Sequence, residues 1–371
     1  MIKRVLQQQI EQRLFKGKAI ILLGPRQAGK STLVNSITQG KDPIVMTGDD
    51  ADDRKLLMDA SVSGLKSILG NKTMLYIDEA QRVPGIGITI KLITDHIKDV
   101  QVIATGSSSF DLANSINEPL TGRKYEFRLF PLSFGEMVAH HGMLEEKRNL
   151  EHRLVYGYYP EIVTKRGEEK ELLTLLANSY LYKDLLMLEQ LKKPQLLEKL
   201  VRALALQVGS EVSFNELGKT VGTDNKTVEK YIDLLEKAFV IFRLPAFSRN
   251  VRNEIRKGKK IYFFDCGIRN AVINDFRPFD IRLDKGALWE NFVIAERMKF
   301  IHYNGLHLKQ YFWRTTQQQE IDLVEEGETL SAYEIKTSAA ARARFPATFT
   351  NNYPDSTYRQ IHMDNVESIL S

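Results

Sequence analysis

The chain contains 371 residues, more than one hydrophobic core usually organises, because domains commonly hold about 100 to 200 residues. With 43% hydrophobic and 27% charged residues it falls among ordinary globular proteins, which excludes a disordered or low-complexity chain. The net charge of +5, from 52 Lys and Arg against 47 Asp and Glu, permits an anionic partner without requiring one. A single cysteine, Cys266, excludes an internal disulfide and a cysteine-rich zinc site, so we expect a cytoplasmic location.

The first third of the chain alternates short apolar runs with longer amphipathic stretches, which is the pattern of an α/β fold. The apolar runs are residues 19–23, 44–46, 74–77, 100–104 and 125–129. Because they are almost continuously apolar, they predict strands of a largely parallel sheet that is covered by helices on both faces. None approaches the roughly 20 apolar residues that cross a bilayer, so we expect no membrane association.

The rest of the chain divides into a helical region and a second β-containing region. Residues 135–210 carry Leu, Glu and Lys at helical spacing, and strand signals return at 260–265, 311–314, 320–324 and 332–336. The expected domains are an α/β domain over 1–135, a helical region over 136–270 and a small α/β domain over 271–371.

A glycine-rich loop follows the first predicted strand and has the GxxxxGK[ST] spacing of a phosphate-binding loop (P-loop). Gly24 and Gly29 let successive backbone N–H groups face phosphate oxygens, and Lys30 adds a positive charge at the β and γ phosphates. Ser31 is expected to offer its hydroxyl to Mg²⁺. The predicted ATP-binding residues are Gly24, Pro25, Arg26, Gln27, Ala28, Gly29, Lys30, Ser31 and Thr32.

The apolar run at 74–77 ends in two carboxylates, Asp78 and Glu79, which is the Walker B pattern. We expect Asp78 to hold Mg²⁺ through its waters and Glu79 to polarise the water that attacks the γ-phosphate. Two acidic residues at the end of a strand are also common on solvated turns. The Walker B interpretation therefore depends on the phosphate-binding loop that precedes these residues.

Two further residues are candidates for the ATP site. Ser107 follows the strand at 100–104, where P-loop ATPases of the AAA+ type place a polar residue that senses the γ-phosphate, and Thr105 is the alternative. A serine that caps a helix would have the same sequence pattern. Arg123 precedes the next strand and is a candidate arginine finger for a neighbouring subunit's nucleotide, or an ordinary surface arginine.

Several short motifs occur in one order along nearly the whole chain. They are Gly24–Ser31, Asp78-Glu79-Ala80-Gln81, Thr105-Gly106-Ser107, Gly122-Arg123, Pro131-Leu132-Ser133-Phe134, Gly157–Glu161, Lys260–Gly267, Glu290-Asn291, Glu320–Leu323 and Glu334-Ile335-Lys336. Together they resemble the bacterial and archaeal AAA+ ATPases that carry a C-terminal domain of unknown function similar to the PD-(D/E)xK nucleases. This resemblance implies a nucleotide-dependent machine acting on nucleic acid. The chain departs from the family pattern at Tyr158 and Cys266, and it shows no obvious second sensor arginine.

A helix-turn-helix is predicted in the middle of the chain. Ser213 and Glu216 have capping-box spacing for a first helix that ends near Val221, and Asp224 can cap a second helix. The second helix would offer its N-terminal face, including Lys226, to the major groove of DNA. An αα-hairpin used only for packing has the same pattern.

The positive charge is concentrated next to this helix-turn-helix. Residues 243–260 contain seven basic side chains and one acidic side chain, between strand-like flanks at 240–244 and 260–264 that predict a β-hairpin wing. Such a wing would bind phosphates with strong salt dependence, whereas a mobile solvated loop is the alternative. The predicted DNA contacts are Lys226, Lys230, Arg249, Arg252, Arg256, Lys257 and Lys259.

Carboxylates and a lysine at the C-terminal strands resemble a nuclease site. Glu334 and Lys336 share one face of a strand, and a turn brings Asp322 beside Glu334 in an antiparallel hairpin, where the two carboxylates can bind Mg²⁺. Glu290 lies in an apolar helical run, and the family resemblance implies that it completes a PD-(D/E)xK tetrad. An inactive site that only binds DNA and a solvated strand face are the alternatives.

These observations lead to three functional hypotheses. The first is an AAA+ ATPase, using ATP and Mg²⁺, that is coupled to a winged helix-turn-helix DNA-binding module and a PD-(D/E)xK nuclease-like domain. The second is a nucleotide-dependent signalling or defence switch that cuts nothing, and the third is a structure-selective nuclease whose ATP site only gates assembly. The expected partners are duplex or branched DNA and further copies of the chain, with a hexameric ring as one form.

Overall fold

The computed structural model describes residues 2–107, 119–179, 194–248 and 258–370 of the chain. By spatial contact the chain divides into two compact units, Met1–Pro131 with Lys237–Phe239, and Leu132–Glu236 with Val240–Ser371. The division into three domains at 135 and 270 stays a prediction. Within the described ranges, no helix combines the length and the apolar character needed to cross a membrane.

The first unit is built on a five-stranded sheet in which every pair of neighbouring strands is parallel. In the spatial order β2-β3-β4-β1-β5, its strands are β1 (Ala19–Leu23), β2 (Ile44–Thr47), β3 (Met74–Asp78), β4 (Gln101–Gly106) and β5 (Lys124–Arg128). Every residue of β1 is buried although successive side chains point to opposite faces, so both faces of the sheet are covered there. The parallel α/β sheet predicted from the apolar runs is therefore observed.

In the described part of the first unit, one helix precedes the first strand and the others lie between successive strands. The helices are α1 (Val5–Glu11), α2 (Lys30–Thr38), α3 (Ala51–Leu57), α4 (Val62–Leu69) and α5 (Ile86–His96), with a 3-10 turn at Ala80–Arg82. Asp50 caps α3 by accepting the N–H groups of Asp52 and Asp53, and Ser61 caps α4 through the N–H of Gly64. These side chains satisfy N–H groups that have no partner within the helix.

The segments that follow β1, β3 and β4 meet at one edge of the sheet. Leu23 pairs with Gly106 and Ile77 pairs with Ala104, so the carboxyl ends of these three strands lie side by side. Ligands of open parallel sheets bind at this edge. At the opposite edge Ala19 pairs with Lys124, the first residue of β5.

The second unit begins with a run of helices, as the spacing over 135–210 predicts. They are α6 (Phe134–His141), α7 (Met143–Arg148), α8 (Leu150–Tyr156), α9 (Pro160–Thr164), α10 (Glu169–Ala177) and α11 (Pro194–Leu206). Ser133 and Glu136 form a reciprocal capping box at the start of α6, which accounts for the helix beginning directly after a polar residue.

The middle of the second unit contains two short helices and a three-stranded antiparallel sheet. Its elements are β6 (Glu211–Val212), α12 (Phe214–Val221), α13 (Asn225–Lys237), β7 (Ile241–Pro245) and β8 (Lys259–Phe263), and the sheet order is β6-β8-β7. Ser213 caps α12 through the N–H of Glu216, and Asp224 accepts the N–H of Thr227 at the start of α13. Residues 249–257, between β7 and β8, lie outside the described residues.

A mixed four-stranded sheet forms the C-terminal part of the second unit. In the order β12-β11-β10-β9 its strands are β9 (Lys309–Arg314), β10 (Glu320–Glu326), β11 (Leu330–Ile335) and β12 (Thr357–Ile361), of which β11 and β12 are parallel. The helices are α14 (Cys266–Ile273), α15 (Lys285–Tyr303) and α16 (Ala347–Asn352), with 3-10 turns at Phe279–Ile281 and Met363–Ser368. Trp313 packs with Ile321 and Phe349 in the core, and Trp289 is fully buried in α15.

A glycine after α8 is required by a close contact inside the second unit. Gly157 has a φ of +73°, and a Cβ there would lie 2.1 Å from Oδ1 of Asp265. Asp265 cannot move aside easily, because its two oxygens accept the N–H groups of Tyr158 at 2.7 Å and Ile268 at 3.1 Å. Both the backbone conformation and the packing therefore select glycine at this position.

Gly157→Ala is expected to lower the free energy of unfolding by about 3 kcal/mol or more, because backbone strain and a steric clash add. Gly167→Ala is the matched control: its φ is +92°, but no atom lies within 4 Å of the added Cβ. The control should lose only about 1 kcal/mol. Urea unfolding of both variants measures the difference, and equal losses would contradict the contact with Asp265.

Candidate functional site

The P-loop wraps from β1 into α2 in a conformation that only small residues at its ends allow. A Cβ on Gly24 would lie 2.1 Å from the carbonyl oxygen of Leu129, and Gly29 has a φ of +94°. Gln27 also has a positive φ, of 57°. Lys30 is buried, and its Nζ donates to the carbonyl oxygens of Gly24 at 2.9 Å and Pro25 at 3.0 Å. The ammonium group is thus held inside the curve of the loop.

The other predicted ATP-binding residues complete the same loop. Pro25 and Ala28 are buried, Arg26 is half-buried, and Ser31 and Thr32 are exposed on the first turn of α2. The loop is also anchored from outside by the buried Arg4, whose Nη1 donates to the carbonyl oxygen of Ala28 at 2.7 Å. Sequence patterns assigned no role to Arg4, because its only signal is a partner distant in the chain.

The Walker B aspartate lies against the P-loop serine. Oδ2 of Asp78 is 3.2 Å from Oγ of Ser31, and Oδ1 accepts the N–H of Glu79 at 3.1 Å and the hydroxyl of Thr105. A serine hydroxyl and a carboxylate are oxygen donors of the kind that Mg²⁺ takes in nucleotide sites. The residues present therefore fit a Mg²⁺ ion accompanying a bound nucleotide.

Tyr76, two residues before Asp78 on β3, lies beside this pair. Burial is the main cause that raises the pKa of its phenol, to about 12, so the group remains protonated across the ordinary pH range. A neutral tyrosine next to Asp78 adds no negative charge at the predicted metal position.

Glu79 and Ser107 are joined through Gln81, a residue of the Asp78–Gln81 motif to which the sequence patterns assigned no role. Nε2 of Gln81 lies 2.5 Å from Oε2 of Glu79 and 3.0 Å from Oγ of Ser107. Glu79 itself has a left-handed backbone, with a φ of 47°. The predicted water-polarising carboxylate and the predicted sensor therefore share one amide donor.

Arg123 lies at the amino edge of the sheet, opposite the P-loop. It directly precedes β5, whose first residue pairs with Ala19 at the start of β1. Its Nε donates to Oδ1 of Asp95 at 2.6 Å, and this hydrogen bond is the main cause that lowers the pKa of Asp95. The guanidinium therefore does not reach the nucleotide site of its own sheet, and its role as a finger for another copy, like oligomerisation itself, stays a prediction.

The predicted C-terminal residues Asp322, Glu334 and Lys336 are neighbours in the second unit. Nζ of Lys336 lies 2.7 Å from Oε2 of Glu334 and 3.4 Å from Oδ2 of Asp322, and Oδ2 of Asp322 also accepts the N–H of Ile335 at 2.7 Å. The antiparallel pairing of β10 with β11, in which Leu323 faces Tyr333, brings the two carboxylates together.

Glu290 joins the same cluster from α15. Its Oε1 accepts from the hydroxyl of Tyr262 at 2.6 Å and from Nζ of Lys260 at 3.0 Å. Lys260 is 1% exposed and also lies 2.5 Å from Oε1 of Glu320. The structure thus adds a second lysine and a fourth carboxylate to the predicted tetrad.

The predicted wing offers fewer solvent-exposed positive charges than its sequence indicates, and Lys260 is the first reason. Rather than facing solvent beside Lys259, it lies buried among carboxylates, because alternate residues of β8 point to opposite faces. Arg243 is likewise paired, with Asp233 at 2.7 Å and with Glu236. Two of the seven basic side chains between 243 and 260 are therefore neutralised within the fold.

Burial and mutual repulsion shift the carboxylates of this cluster. Burial, followed by the nearby charge of Asp322, raises the pKa of Glu290 to about 7, although Lys260 opposes the shift. The same two causes raise the pKa of Glu334. Across the described ranges, no group of three or more His, Cys, Asp or Glu side chains is arranged to hold a metal ion. Asp322 and Glu334 offer oxygen atoms, but a lysine already pairs with both of them.

The predicted DNA contacts are only partly described. Lys226 and Lys230 are exposed one turn apart on α13, and Lys259 is half-buried with its Nζ 5.9 Å from the ring centre of Phe214. The remaining predicted contacts lie outside the described residues; they are Arg249, Arg252, Arg256 and Lys257.

Comparison with known proteins agrees with the geometry of the first unit. Residues 16–138 match the family described as an AAA domain, so this match spans the P-loop, Asp78 and Ser107. The first unit carries a P-loop ATPase domain of the AAA type. Such a domain uses a nucleotide, usually together with Mg²⁺. Residues 147–278 and 285–366 each match a domain of unknown function.

Relatives of the P-loop ATPase chain occur in bacteria and archaea. Uncharacterized proteins of Mycobacterium tuberculosis and Mycobacterium bovis are each 26% identical over 333 residues, which is 88% of this chain and 72% of each relative. An uncharacterized protein of Methanocaldococcus jannaschii is 23% identical over 359 residues, 90% of this chain and 77% of its own. A solved Walker-type ATPase of Pyrococcus abyssi is similar in fold, with a TM-score of 0.50 and 14% identity, covering 73% of this chain and 96% of that chain.

Proposed function

We propose that the chain is an ATP-hydrolysing protein that acts on DNA. The observation that carries the ATP site is the approach of Ser31 to Asp78, 3.2 Å apart, beside the curled loop that holds Lys30. Lys30 would bind the β and γ phosphates, Ser31 and Asp78 would hold Mg²⁺, and Glu79 would orient the attacking water. When bound, Mg²⁺ offsets negative charge on the phosphates.

The DNA-binding part of the proposal rests on the middle of the second unit. The order α11, β6, α12, α13, β7 and β8, with strand order β6-β8-β7, supports a winged helix-turn-helix. In such a module the second helix enters the major groove, and Lys226 and Lys230 are exposed near the start of α13. The wing itself would include Arg249, Arg252, Arg256, Lys257 and Lys259.

Replacing Lys226 and Lys230 together with alanine is expected to weaken duplex DNA binding and to flatten its salt dependence. Each lost phosphate contact should reduce the slope of log affinity against log salt by about 0.9. Fluorescence anisotropy with a labelled duplex at several salt concentrations measures both effects. Lys66→Ala, an exposed lysine on α4, is the control. Parallel salt plots for the double variant and the wild type would remove α13 from the DNA-binding surface.

The role of the C-terminal cluster divides the proposal into two candidate functions. The gathering of Glu290, Asp322, Glu334 and Lys336 supports a nuclease-like active site. The pairing of these carboxylates with two lysines favours instead a nucleotide-dependent switch that binds DNA without cutting it. Lys336 pairs with both Asp322 and Glu334, so the charge of these carboxylates is already compensated without a metal ion.

A DNA cleavage assay distinguishes these two functions. The full chain is incubated with duplex and forked DNA, ATP and Mg²⁺, beside Glu334→Ala. Fragments that appear with the wild type and not with Glu334→Ala would support the nuclease. DNA that is bound and stays intact, together with tight ATP binding and negligible ATP turnover, would support the switch.

A further inference from the structure

Gln81 occupies a fixed place between two proposed catalytic elements of the ATP site. It lies in the 3-10 turn Ala80–Arg82, and its Nε2 is 2.5 Å from Oε2 of Glu79 and 3.0 Å from Oγ of Ser107. A side-chain amide nitrogen carries two hydrogens, so it can donate to both oxygens at once. The carboxylate of Glu79 can only accept, which sets the orientation of the amide.

The backbone around Glu79 is held by close contacts, so the side-chain torsions are the main conformational freedom of this residue. The carbonyl oxygen of Glu79 accepts the N–H of Arg82 at 3.0 Å, and the N–H of Gly48 donates to the carbonyl oxygen of Asp78 at 2.8 Å. A Cβ on Gly48 would lie 2.2 Å from the carbonyl oxygen of Glu79, so the two segments are in close contact. Because this backbone is held, the direction of the Glu79 carboxylate depends on what its oxygens bind.

We propose that Gln81 is a positioning residue that couples the hydroxyl of Ser107 to the carboxylate of Glu79. The amide holds Glu79 toward Ser107 in the nucleotide-free chain, and a γ-phosphate that engages the hydroxyl of Ser107 changes the hydrogen bonding of the same amide. Gln81 thereby sets the carboxylate according to whether a γ-phosphate is present. This inference rests on the proposed ATP hydrolysis and adds to it a residue that acts through its hydrogen bonds to Glu79 and Ser107.

Gln81→Ala is expected to lower the turnover number for ATP by about tenfold to 100-fold. A small misplacement of a catalytic group can cost roughly 100-fold in rate. The Michaelis constant for ATP should change less than about threefold, because the described hydrogen bonds of the Gln81 side chain go to Glu79 and Ser107 and not to the P-loop. Gln81→Glu keeps the volume of the side chain but turns an N–H donor toward Glu79 into a second carboxylate. Gln81→Glu should therefore have a lower ATP turnover number than Gln81→Ala. If Gln81 only filled space, Gln81→Glu would have the higher turnover number, because it keeps the volume of the side chain.

The connection to Ser107 is tested by a double-mutant cycle. If Gln81 acts through Ser107, then Ser107→Ala lowers the turnover number by a smaller factor in Gln81→Ala than in the wild type, whereas equal factors would contradict the connection. Arg82→Ala is the control, because Arg82 lies in the same 3-10 turn and its guanidinium pairs with Asp49 at 2.9 Å. That variant should keep the turnover number of the wild type within about twofold.

The thermal midpoint of the nucleotide-free chain gives a readout that does not depend on catalysis. Gln81→Glu should lower the midpoint more than Gln81→Ala, because two carboxylates would face each other. A wild type that does not hydrolyse ATP would overturn the proposed function, and the order of the two midpoints would still show whether the Gln81 amide holds the Glu79 carboxylate. Wild-type turnover in Gln81→Ala, or a midpoint for Gln81→Glu at or above that of Gln81→Ala, would overturn the coupling by Gln81.

Discussion

Replacing Glu79 with glutamine is expected to lower the ATP turnover number by about 100-fold or more, within the range of 10² to 10⁴ that general-base catalysis contributes. Glutamine has the same shape as glutamate but cannot accept a proton from the attacking water. Ser31, Asp78 and Lys30 are untouched by this change, so ATP should bind with unchanged affinity. Phosphate release and equilibrium binding of ATP, measured on the same preparation, separate the two steps.

Lys30→Ala provides the complementary result. The ammonium of Lys30 lies inside the P-loop, where it bonds to the carbonyl oxygens of Gly24 and Pro25. Its removal takes away the positive charge for the β and γ phosphates, so both binding and turnover should be lost. Glu79→Gln with full turnover would assign the water-polarising role to another residue, and Lys30→Ala with full affinity would place the nucleotide elsewhere.

The second large effect is expected at Lys260, inside the second unit. Lys260 is 1% exposed, and its ammonium pairs with Glu290 at 3.0 Å and Glu320 at 2.5 Å. Lys260→Met keeps most of the volume but removes the cation that pairs with Glu290 and leaves Glu320 with Arg314 at 3.8 Å. Leaving the carboxylate of Glu290 uncompensated should cost about 3 to 5 kcal/mol of unfolding free energy. Chemical denaturation near pH 8, followed by a signal from the second unit such as tryptophan fluorescence, measures the loss.

Lys165→Met is the matched control for Lys260. Lys165 also pairs with a glutamate of the second unit, Glu161 at 2.7 Å, but the two side chains are 50% and 37% exposed, so water still solvates the carboxylate that it leaves. The expected loss is much smaller than for Lys260→Met, because a solvent-exposed ion pair contributes little to stability. If Lys260→Met cost no more than Lys165→Met, the buried pairing with Glu290 and Glu320 would be wrong.

The loss caused by Lys260→Met should depend on pH in a definite direction. The pKa of Glu290 is raised to about 7 in the folded chain, above the usual range of a glutamate. Its contribution to stability is therefore fully present below its unfolded pKa and is lost as the pH rises through about 7. Without Lys260 the folded pKa rises further, so the difference between Lys260→Met and the wild type should shrink from pH 8 to pH 5. A constant difference across this range would show that Glu290 is not the group left uncompensated.

Much of the ATP site follows from local sequence. The spacing of Gly24, Gly29 and Lys30 after an apolar run predicts the P-loop, and the observed strands coincide with the predicted runs within a few residues. The position of Asp78 beside the P-loop could also be predicted, because Asp78 ends an apolar run and the ends of parallel strands meet at one edge of the sheet. Gln81 was not predicted in this way, since its role depends on the distance between its amide and Ser107 on another strand.

The C-terminal cluster and the basic segment show where local sequence was insufficient. The alternation along β10 and β11 correctly predicts that Asp322 lies beside Glu334. Counting charge over 243–260 nevertheless assigns Lys260 to the predicted DNA-binding wing, although the fold buries it against Glu290. A count sums charges along the chain and contains no information on which face of a strand is covered.

The net charge of +5 and the length of 371 residues therefore say less about the fold and the ATP site than the short motifs do. Glycine and lysine at defined spacing predict the P-loop, and the apolar runs predict the parallel α/β sheet around it, because backbone conformation and hydrophobic pattern can be read from local sequence. Which cations remain in solvent, and which amide bridges Glu79 to Ser107, were decided only by the tertiary structure. Ion pairs and hydrogen bonds between distant residues form only when separate elements pack within about 3 Å of each other, and no local pattern encodes that distance.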